Sequence, residues 1–521
     1  MTNRSFIESR TFDGFRKTVA AEFSEVYVVD LGGDVRANPK LSGTRHNVFG
    51  IQTGVAISFM VKRAQTTKDR RPARVHYLRR PEMESAEEKL SFLASHPMRL
   101  LDFDEVSPDK NANWVNLTNN DFETLLPLAS KETKAAKTAG TERAIFKLFS
   151  LGVVTARDEW VYGESREVVL KKIDALVSAY NADAEKLKSE TGRSDFASRL
   201  DTSIKWSRAT KRDLVGGVRY EINEDHVVPA MYRPFCKRSL YFDSRLNEMR
   251  NLTTRLFGDV GNQSKKSLVL TDAGSQKPFM VQATDSVFDY HYVGAAAAAV
   301  AMPLKRLSEN GQTHDNITDW ALKQFTTHYA DETSQPKTAR KITKEAIFHY
   351  CYAVLHDPLY REKYAQNLKR EFPRIPFYAG FWQWAAWGEQ LMALHIGFEA
   401  VEPFALTRTD EPDTRARAAG QAPKAMLKSD PAAGSITLDS ETTLRGVPAD
   451  AWAYKLGNRC AIDWVLDQHK EKNPQDPTIR ERFNTYRFAD HKDKVVDLLA
   501  RVTTVSVETV RITEAMRGAA R

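Results

Sequence analysis

Three short runs rich in β-branched and aromatic residues lie within the first 80 residues and limit how this part of the chain can fold. EVYVVDLGG (25–33) predicts a buried strand that ends at a glycine pair, NVFGIQTGVAISFMVKR (47–63) predicts one or two strands, and RVHYLRR (74–80) predicts another. FDGFRKTVAA (12–21) has helical spacing. A complete doubly wound sheet has about six strands, so the pattern predicts one edge of an α/β sheet.

The rest of the chain predicts a mixture of helices and strands. Residues 83–190 and 317–400 are predicted to be mostly helical, whereas residues 201–300 alternate between strands and turns. LTRTDEPDTRARAAGQAPKA (406–425) is predicted to be a polar loop, and the chain ends in a β-branched segment followed by a short tail. The sequence shows no internal repeat.

Composition excludes several classes of protein. Hydrophobic residues make up 42% of the 521 residues, which is enough for packed cores. The net charge of +8 suits a polyanion such as DNA, but many soluble enzymes are equally basic. The three cysteines form no CxxC pair, which excludes a zinc ribbon and makes a disulfide scaffold a poor fit. With no apolar run of signal-peptide or membrane-spanning length, a soluble cytoplasmic protein is expected.

Motifs of nucleotide and hydrolase chemistry are absent. The sequence has no GxxxxGK[ST], HExxH, GxSxG or strand-associated GxGxxG. DPLY (357–360) is similar to the [DNS]PP[YFW] motif with which amino-methyltransferases hold a flipped base. Its second proline is replaced by Leu359, and helical sequence flanks it on both sides. A helix that stops and restarts, capped by Asp357, is the favoured interpretation.

MYRPFCKRSLYFDSRLNE (231–248) combines aromatic and basic side chains. Tyr232, Phe235, Leu240 and Phe242 are predicted to supply core, and the basic residues of this stretch and of IKWSRATKRDL (204–214) are predicted to lie at the surface. Arg and Lys contact phosphates, and Arg reads guanine in the major groove. A solvated basic face that binds nothing explains the composition equally well.

Long stretches of the chain resemble the single-polypeptide type ISP restriction–modification enzymes, over about residues 12–512. Residues 12–63 resemble the late part of their γ-class adenine-N6 methyltransferase domain. Their C-terminal target-recognition region is matched by LFSLGVVTARDEWVY (148–162), IKWSR, MYRPFCKRSLYFD, DNITDWAL (315–322), AIFHYCYAVLHDPLYREKYAQNLKREFPRIPF and AWAYKLGNRCAIDWVLDQ (451–468).

This resemblance implies an architecture. It implies an α/β fold in which a partial Rossmann-like methyltransferase sheet (1–75) is followed by a helical connector (76–130) and a mixed α/β specificity domain (131–521). Full-length enzymes of the family join a nuclease and an ATP-dependent motor to the methyltransferase, and use S-adenosylmethionine, ATP and Mg²⁺. Double-stranded DNA is the implied partner of this chain.

The sequence departs from the family pattern because it contains neither the FxGxG cofactor motif nor the catalytic NPPY. No catalytic residue is therefore carried over, and no cofactor or metal is expected on this chain alone. The missing N-terminal portion is the expected second partner. Half a sheet should also leave an unpaired strand edge, so residues 1–75 are expected to order fully only when that portion is supplied.

The resulting hypothesis is a DNA-recognition module that directs methylation and restriction by the full-length enzyme. The predicted DNA contacts are Lys205, Arg208, Lys211, Arg212, Arg233, Lys237, Arg238, Arg245, Gln276 and Lys277. One alternative is an S-adenosylmethionine-dependent adenine methyltransferase, active alone or with a separate N-terminal subunit. Another is an interaction scaffold, whose DNA affinity would be only non-specific, with a Kd of about 10⁻⁴–10⁻⁶ M.

Overall fold

The computed structural model describes residues 1–34, 44–63, 71–109, 112–115, 120–138, 140–189, 196–261, 263, 265–275, 277–295, 297–330 and 340–521. They form two compact units. The first comprises Met1–Phe122, Ala273–Lys277 and Tyr364–Glu371, and the second comprises Glu123–Asp272, Pro278–Lys363 and Phe372–Arg521. Within the described residues, none of the helices is both long and apolar enough to span a bilayer.

A five-stranded mixed sheet forms the centre of the first unit. Its strand order is Thr2–Asn3, Val55–Val61, Glu25–Gly32, Arg74–Arg79 and Asp104–Val106. The middle strand is parallel to Arg74–Arg79 and antiparallel to Val55–Val61. It is buried almost throughout, which matches its continuous apolar sequence, and it ends at two glycines with positive φ. The strands predicted from the first 80 residues are confirmed.

Both faces of this sheet are covered. Val26 and Val28 share one hydrophobic cluster with Trp114, whereas Val29 and Leu31 belong to another, because successive side chains of a strand point to opposite faces. The described α-helices of the unit are Ser5–Glu8, Asp13–Glu22, Ala86–Ser95 and Ala365–Arg370. The helix Asp13–Glu22 confirms the helical spacing of residues 12–21.

One edge of the sheet is nearly unpaired. Thr2 and Asn3 pair with Ala56 and Val55, and in the part of the chain that the structure describes no strand pairs with this edge over residues 57–61. Phe59 is exposed on this strand. The unpaired edge expected for an incomplete sheet is therefore present, and such an edge is a template for another strand.

The second unit contains three four-stranded sheets. Their strand orders are Val287–Phe288, Val227–Arg233, Cys236–Tyr241, Tyr162–Gly163; Val281–Thr284, Ser267–Thr271, Ala299–Pro303, Ser150–Leu151; and Thr407–Asp410, Thr442–Arg445, Ser435–Asp439, Ala425–Asp430. Two-stranded ribbons pair Lys305–Leu307 with Thr313–Asp315, Leu126–Pro127 with Arg374–Ile375, and Lys455–Leu456 with Arg459–Cys460.

Helices surround these sheets. The described α-helices of the second unit are Lys131–Ala135, Asp158–Val161, Arg166–Ser189, Arg208–Val215, Thr254–Phe257, Asp319–His328, Lys344–His356, Pro358–Lys363, Phe381–Ile396, Thr414–Ala418, Ala449–Ala453, Ala461–Gln468 and Phe488–Arg517. Short 3₁₀ helices span Phe196–Arg199 and Glu224–His226 in this unit, and Ile479–Phe483 is a π-helix. The first unit contains the 3₁₀ helices Arg10–Phe12 and Met98–Leu100, and Phe122–Thr124 begins at its last residue before the second unit. The second unit as a whole is a mixed α/β structure.

The sequence-based prediction is wrong in two segments. Between Ser95 and Asp158 the described residues contain a single α-helix of five residues, Lys131–Ala135, where a mostly helical region was predicted. The Glu- and Lys-rich segments of residues 83–190 do form the helices Ala86–Ser95 and Arg166–Ser189, whereas the sequence between them contains many Asn, Asp and Pro residues, which favour turns. The predicted loop 406–425 instead contains the strand Thr407–Asp410 and the helix Thr414–Ala418, because pairing with Thr442–Arg445 orders the polar strand.

Asp357 lies at the break between the helices Lys344–His356 and Pro358–Lys363. Its carboxylate is fully buried and accepts hydrogen bonds from the backbone N–H groups of Leu359 (3.1 Å) and Tyr360 (3.2 Å). This is N-capping of the second helix. The interpretation of DPLY as a helix that stops and restarts is confirmed.

A buried histidine of the helix Phe381–Ile396 contacts the helix Phe488–Arg517. His395 shares one hydrogen bond between its Nδ1 and the Tyr352 hydroxyl and another between its Nε2 and Thr509 Oγ1 at 2.9 Å. Burial, helped by the nearby Arg361 guanidinium, lowers the pKa of His395 to about 3. Folding therefore holds this imidazole neutral.

Stability should consequently fall on acidification. In the unfolded chain the histidine takes up a proton below a pKa of about 6.5, whereas the folded chain does so only near 3, so its contribution is full above pH 6.5 and is lost as pH falls towards 3. Between pH 7 and pH 5 the wild type should lose about 2 kcal/mol more of its free energy of unfolding than His395→Gln. Urea unfolding at several pH values measures this difference. The exposed His314 provides the control, since His314→Gln should keep the wild-type pH dependence; equal dependence in all three proteins would contradict the prediction.

Candidate nucleic-acid interface

The stretch MYRPFCKRSLYFDSRLNE forms a β-hairpin and the loop that follows it. The strands Val227–Arg233 and Cys236–Tyr241 pair antiparallel, and between them Phe235 adopts a positive φ of 56° while fully buried. Leu240 and Phe242 are also fully buried, and Tyr232 is half-buried. The predicted core role of these side chains is confirmed, and the burial of Phe235 supports an otherwise unfavourable backbone conformation.

Three of the predicted DNA contacts on this hairpin have protein partners. Arg233 forms an ion pair with Asp289 at 2.8 Å and lies over the Tyr232 ring. Lys237 pairs with Glu399 at 2.6 Å, and Arg238 donates to the carbonyl of Gln468 at 2.8 Å. These contacts connect the hairpin to other parts of the second unit.

Asp289 provides the carboxylate that pairs with Arg233 of this hairpin. Burial raises the pKa of Asp289 to about 6, although the Arg233 guanidinium acts in the opposite direction. Its oxygens also accept hydrogen bonds from the hydroxyl of Tyr162 (3.3 Å) and the backbone N–H of His291 (2.8 Å). Arg233 is therefore part of a buried hydrogen-bonded network. Only the N–H groups that it does not use in this network could donate to DNA.

Four other predicted contacts lie on or beside the helix Arg208–Val215, called here the basic helix. Ser207 Oγ caps it by accepting from the Thr210 N–H at 3.3 Å, and Thr210 Oγ1 accepts from the Ser207 N–H at 2.9 Å. Arg208, Lys211 and Arg212 occupy positions i, i+3 and i+4, which share one helix face. All three are exposed, as is Lys205 just before the helix.

A buried carboxylate joins the basic helix to the loop after the hairpin. Asp213 receives Arg212 on one oxygen (3.5 Å) and Arg245 on the other (3.4 Å), and the Tyr220 hydroxyl also donates to it (3.1 Å). The Arg212 side chain remains 79% exposed and that of Arg245 remains 52% exposed. Arginines that are remote in sequence are thus held side by side, with N–H donors still directed to solvent.

Beneath this surface lies a residue that the sequence analysis did not single out. Arg157 is 1% exposed, and none of its guanidinium nitrogens has a hydrogen-bond partner among the described residues. Burial lowers the pKa of Arg157, whereas the side chains of Tyr220 and Glu248 act in the opposite direction. Tyr220 is the residue that donates to Asp213, so the buried cation and the exposed basic cluster belong to one electrostatic neighbourhood.

Comparison with known proteins identifies the family of this second unit. The family model of the type ISP C-terminal specificity domain matches residues 144–498, more than half of the chain. The chain belongs to the type ISP family. The search of curated proteins found no match.

Solved structures agree with this assignment over nearly the whole chain. The chain is similar to the protein of a DrdV–DNA complex, with 45% identity and a TM-score of 0.89 over 98% of this chain and 50% of that one. It is also similar to a nuclease-deletion mutant of the type ISP enzyme LlaGI in complex with a DNA substrate mimic, with 25% identity and a TM-score of 0.81 over 99% and 39%. The fold is shared with the type ISP enzyme LlaBIII bound to DNA, with 21% identity and a TM-score of 0.80 over 99% and 32%. The chain spans half or less of each of these proteins.

Two predicted contacts of this type ISP chain remain. Gln276 lies outside the described residues, and Lys277 is half-buried in the first unit, where its N–H donates to Ser275 Oγ at 3.1 Å. The structure therefore brings Arg212 and Arg245 together on Asp213. It leaves Lys205, Arg208 and Lys211 exposed close to Arg212 in sequence, and it gives Arg233, Lys237 and Arg238 other protein partners. Arg157 carries no sequence signal, because its electrostatic partners lie more than 60 positions away.

Proposed function

We propose that this chain is the DNA target-recognition module of a type ISP restriction–modification enzyme. The observation that carries the proposal is the exposed arginine pair, Arg212 and Arg245, held by Asp213 within a unit that matches the specificity domain of the family. The similar structures that contain DNA support double-stranded DNA as its partner. Methylation and cleavage would be activities of the longer enzyme that this module directs.

The basic helix is proposed to hold phosphates of the DNA backbone. Lys205, Arg208 and Lys211 are exposed and form no ion pair among the described residues, so binding DNA would break no ion pair that these residues form there. Arg212 and Arg245 each keep most of their donors in solvent while one carboxylate fixes their positions. Such preorganisation reduces the entropy that is lost on binding. Phosphate contacts of this kind set the register of the protein on the duplex without selecting a sequence.

The basic side chains of the hairpin are proposed mainly to hold the hairpin in position within the second unit. Arg233, Lys237 and Arg238 are committed to Asp289, Glu399 and the Gln468 carbonyl, so each could contact DNA only with its remaining donors. Lys277 and Gln276 stay in the proposal as candidate contacts of the first unit.

The first unit is proposed to be the C-terminal part of a methyltransferase domain. Support comes from its mixed sheet, its parallel strand pair and its nearly unpaired edge. The sequence contains neither FxGxG nor NPPY, so the proposed role of this chain is recognition rather than methyl transfer. The alternative, a methyltransferase active in this chain, requires S-adenosylmethionine to bind. Isothermal titration distinguishes the two: saturable heat with S-adenosylmethionine would favour the alternative.

Loss of a phosphate contact should weaken binding to all DNA sequences alike. Lys211→Ala should raise Kd about tenfold, since a charge-assisted hydrogen bond contributes about 1.5 kcal/mol, and should reduce the slope of log K against log salt by about one. Fluorescence anisotropy with labelled duplexes across a salt series measures both quantities.

Arg511→Ala is the matched control for this measurement. Arg511 is 64% exposed on the helix Phe488–Arg517 and pairs with Glu508, so its loss makes the same change in net charge. The control should retain the wild-type slope. Wild-type slopes in Lys205→Ala, Arg208→Ala, Lys211→Ala and Arg212→Ala alike would sink the proposed interface.

A further inference from the structure

The loop of residues 243–251, called here the Asp243 loop, is held rigidly at both ends. Asn247 accepts from the Asp243 N–H (3.0 Å) and donates to the Tyr241 carbonyl (3.0 Å). Met249 exchanges two backbone hydrogen bonds with Val154, and the Asn251 amide donates to the Gly152 carbonyl at 2.6 Å. A loop with this many internal and flanking bonds has little conformational freedom left to lose when it binds a partner.

What the loop presents to solvent is unusual for a structural turn. Met249 is a large apolar side chain that is 54% exposed. Next to it, Glu248 has one carboxylate oxygen that is buried and lacks a hydrogen-bond donor among the described residues. A buried unpaired polar atom costs free energy, so the fold retains an unfavourable group at this position. Neither side chain is needed to hold the loop, because the bonds above involve other groups.

The charges around the loop indicate the kind of partner that this surface could bind. Arg245 belongs to the same loop and shares Asp213 with Arg212 of the basic helix. The positive flank matches a phosphate backbone, whereas Glu248 places a negative charge where phosphates would repel it. Arg157, the buried guanidinium without a partner, acts electrostatically on Glu248 and offsets part of that repulsion. A carboxylate within a cationic surface is favoured on DNA only where a base offers it a donor.

We propose that Glu248 and Met249 read base edges in the major groove while the basic helix and Arg245 hold the neighbouring phosphates. The other carboxylate oxygen of Glu248, not the buried one, would accept from the exocyclic amino group of cytosine or adenine, and Met249 would contact a thymine methyl group. This inference rests on the proposed function and names the residues that give it selectivity.

The test is to compare the sequence preferences of variants of the full 521-residue chain. Each protein is incubated with a pool of duplexes that contain a randomised segment, and the bound fraction is sequenced at several protein concentrations. Glu248→Gln should relax the preference at one base pair by roughly 5- to 150-fold, the discrimination of one good base contact. Met249→Ala should reduce the preference for thymine at a neighbouring pair. Met249 is exposed and Glu248 is half-buried, so thermal unfolding checks that both variants remain folded.

Lys211→Ala is the matched control from the same surface. It should lower affinity for every duplex by the same factor and leave the order of preferred sequences unchanged. If Glu248→Gln and Met249→Ala behave in this uniform way too, the assignment of base contacts is wrong while the proposed function stands. If the wild type itself prefers no sequence, the proposed function fails and the inference fails with it.

Discussion

Gly388→Ala is expected to destabilise the second unit by about 2 kcal/mol or more. Gly388 lies on the helix Phe381–Ile396 where it packs against Lys344–His356, and a Cβ there would come within 1.8 Å of the His349 carbonyl oxygen. The obstacle is backbone, so no rotamer change relieves it and the two helices must move apart. Overpacking of a core costs about 1–3 kcal/mol and occasionally more. That cost opposes the gain of about 1 kcal/mol that alanine brings to an ordinary helix position.

The sign of the effect makes this prediction easy to check. Urea unfolding of the wild type and of Gly388→Ala gives the change in free energy, and the probe should report on the second unit. Gly518→Ala is the control within the same unit, because no atom lies within 4 Å of the position that its Cβ would occupy. The control should be neutral or slightly stabilising. A Gly388→Ala protein as stable as that control would show that the helices do not approach so closely.

The strands of the first unit could be predicted from local sequence because the apolar residues of each strand match the burial that the strand has in the fold. Glu25–Gly32 is a near-continuous apolar run, and the glycines that end it need no knowledge of the rest of the fold. The C-terminal helix Phe488–Arg517 is the opposite case. Its β-branched residues favour a strand by propensity, yet Val495, Leu499, Val502 and Val505 are buried at intervals of three or four. Period and burial override a weak local preference.

The candidate site was predictable to the extent that it is local in sequence. Arg208, Lys211 and Arg212 share one short helix, so their common face follows from spacing alone. The pairing of Arg245 with Asp213 joins residues 32 positions apart, and Arg233 reaches Asp289 across 56. Which basic side chains pair with protein carboxylates therefore depends on the tertiary fold. The same reason hid Arg157, whose isolation can be recognised only when all its neighbours are known.

Arg521→Ala is expected to destabilise the second unit by about 3 kcal/mol, because the buried carboxylate of Asp357 would lose its ion-pair partner. Arg521 pairs with Asp357, donating from Nη2 at 2.7 Å and from Nε at 3.2 Å, and the Asp357 side chain is fully buried. The Tyr378 hydroxyl and the two N–H groups of the helix cap would still bind the carboxylate. Its charge, however, would lose its ion-pair partner, and breaking one side of a buried pair costs about 3–5 kcal/mol, of which the nearby Arg361 guanidinium offsets part.

A surface pair on the preceding helical turn gives the control for this measurement. Arg517 contacts Glu514 at 2.9 Å with both side chains about half exposed, so Arg517→Ala should cost less than about 1 kcal/mol. Asp357→Asn keeps the cap but removes the charge, so the double variant with Arg521→Ala should regain part of the lost stability. Chemical unfolding of the wild type, Arg521→Ala, Asp357→Asn and the double variant completes this double-mutant cycle. Equal losses in Arg521→Ala and Arg517→Ala would mean that Asp357 reaches water when Arg521 is removed, and the helix break at DPLY would then need only its N-cap.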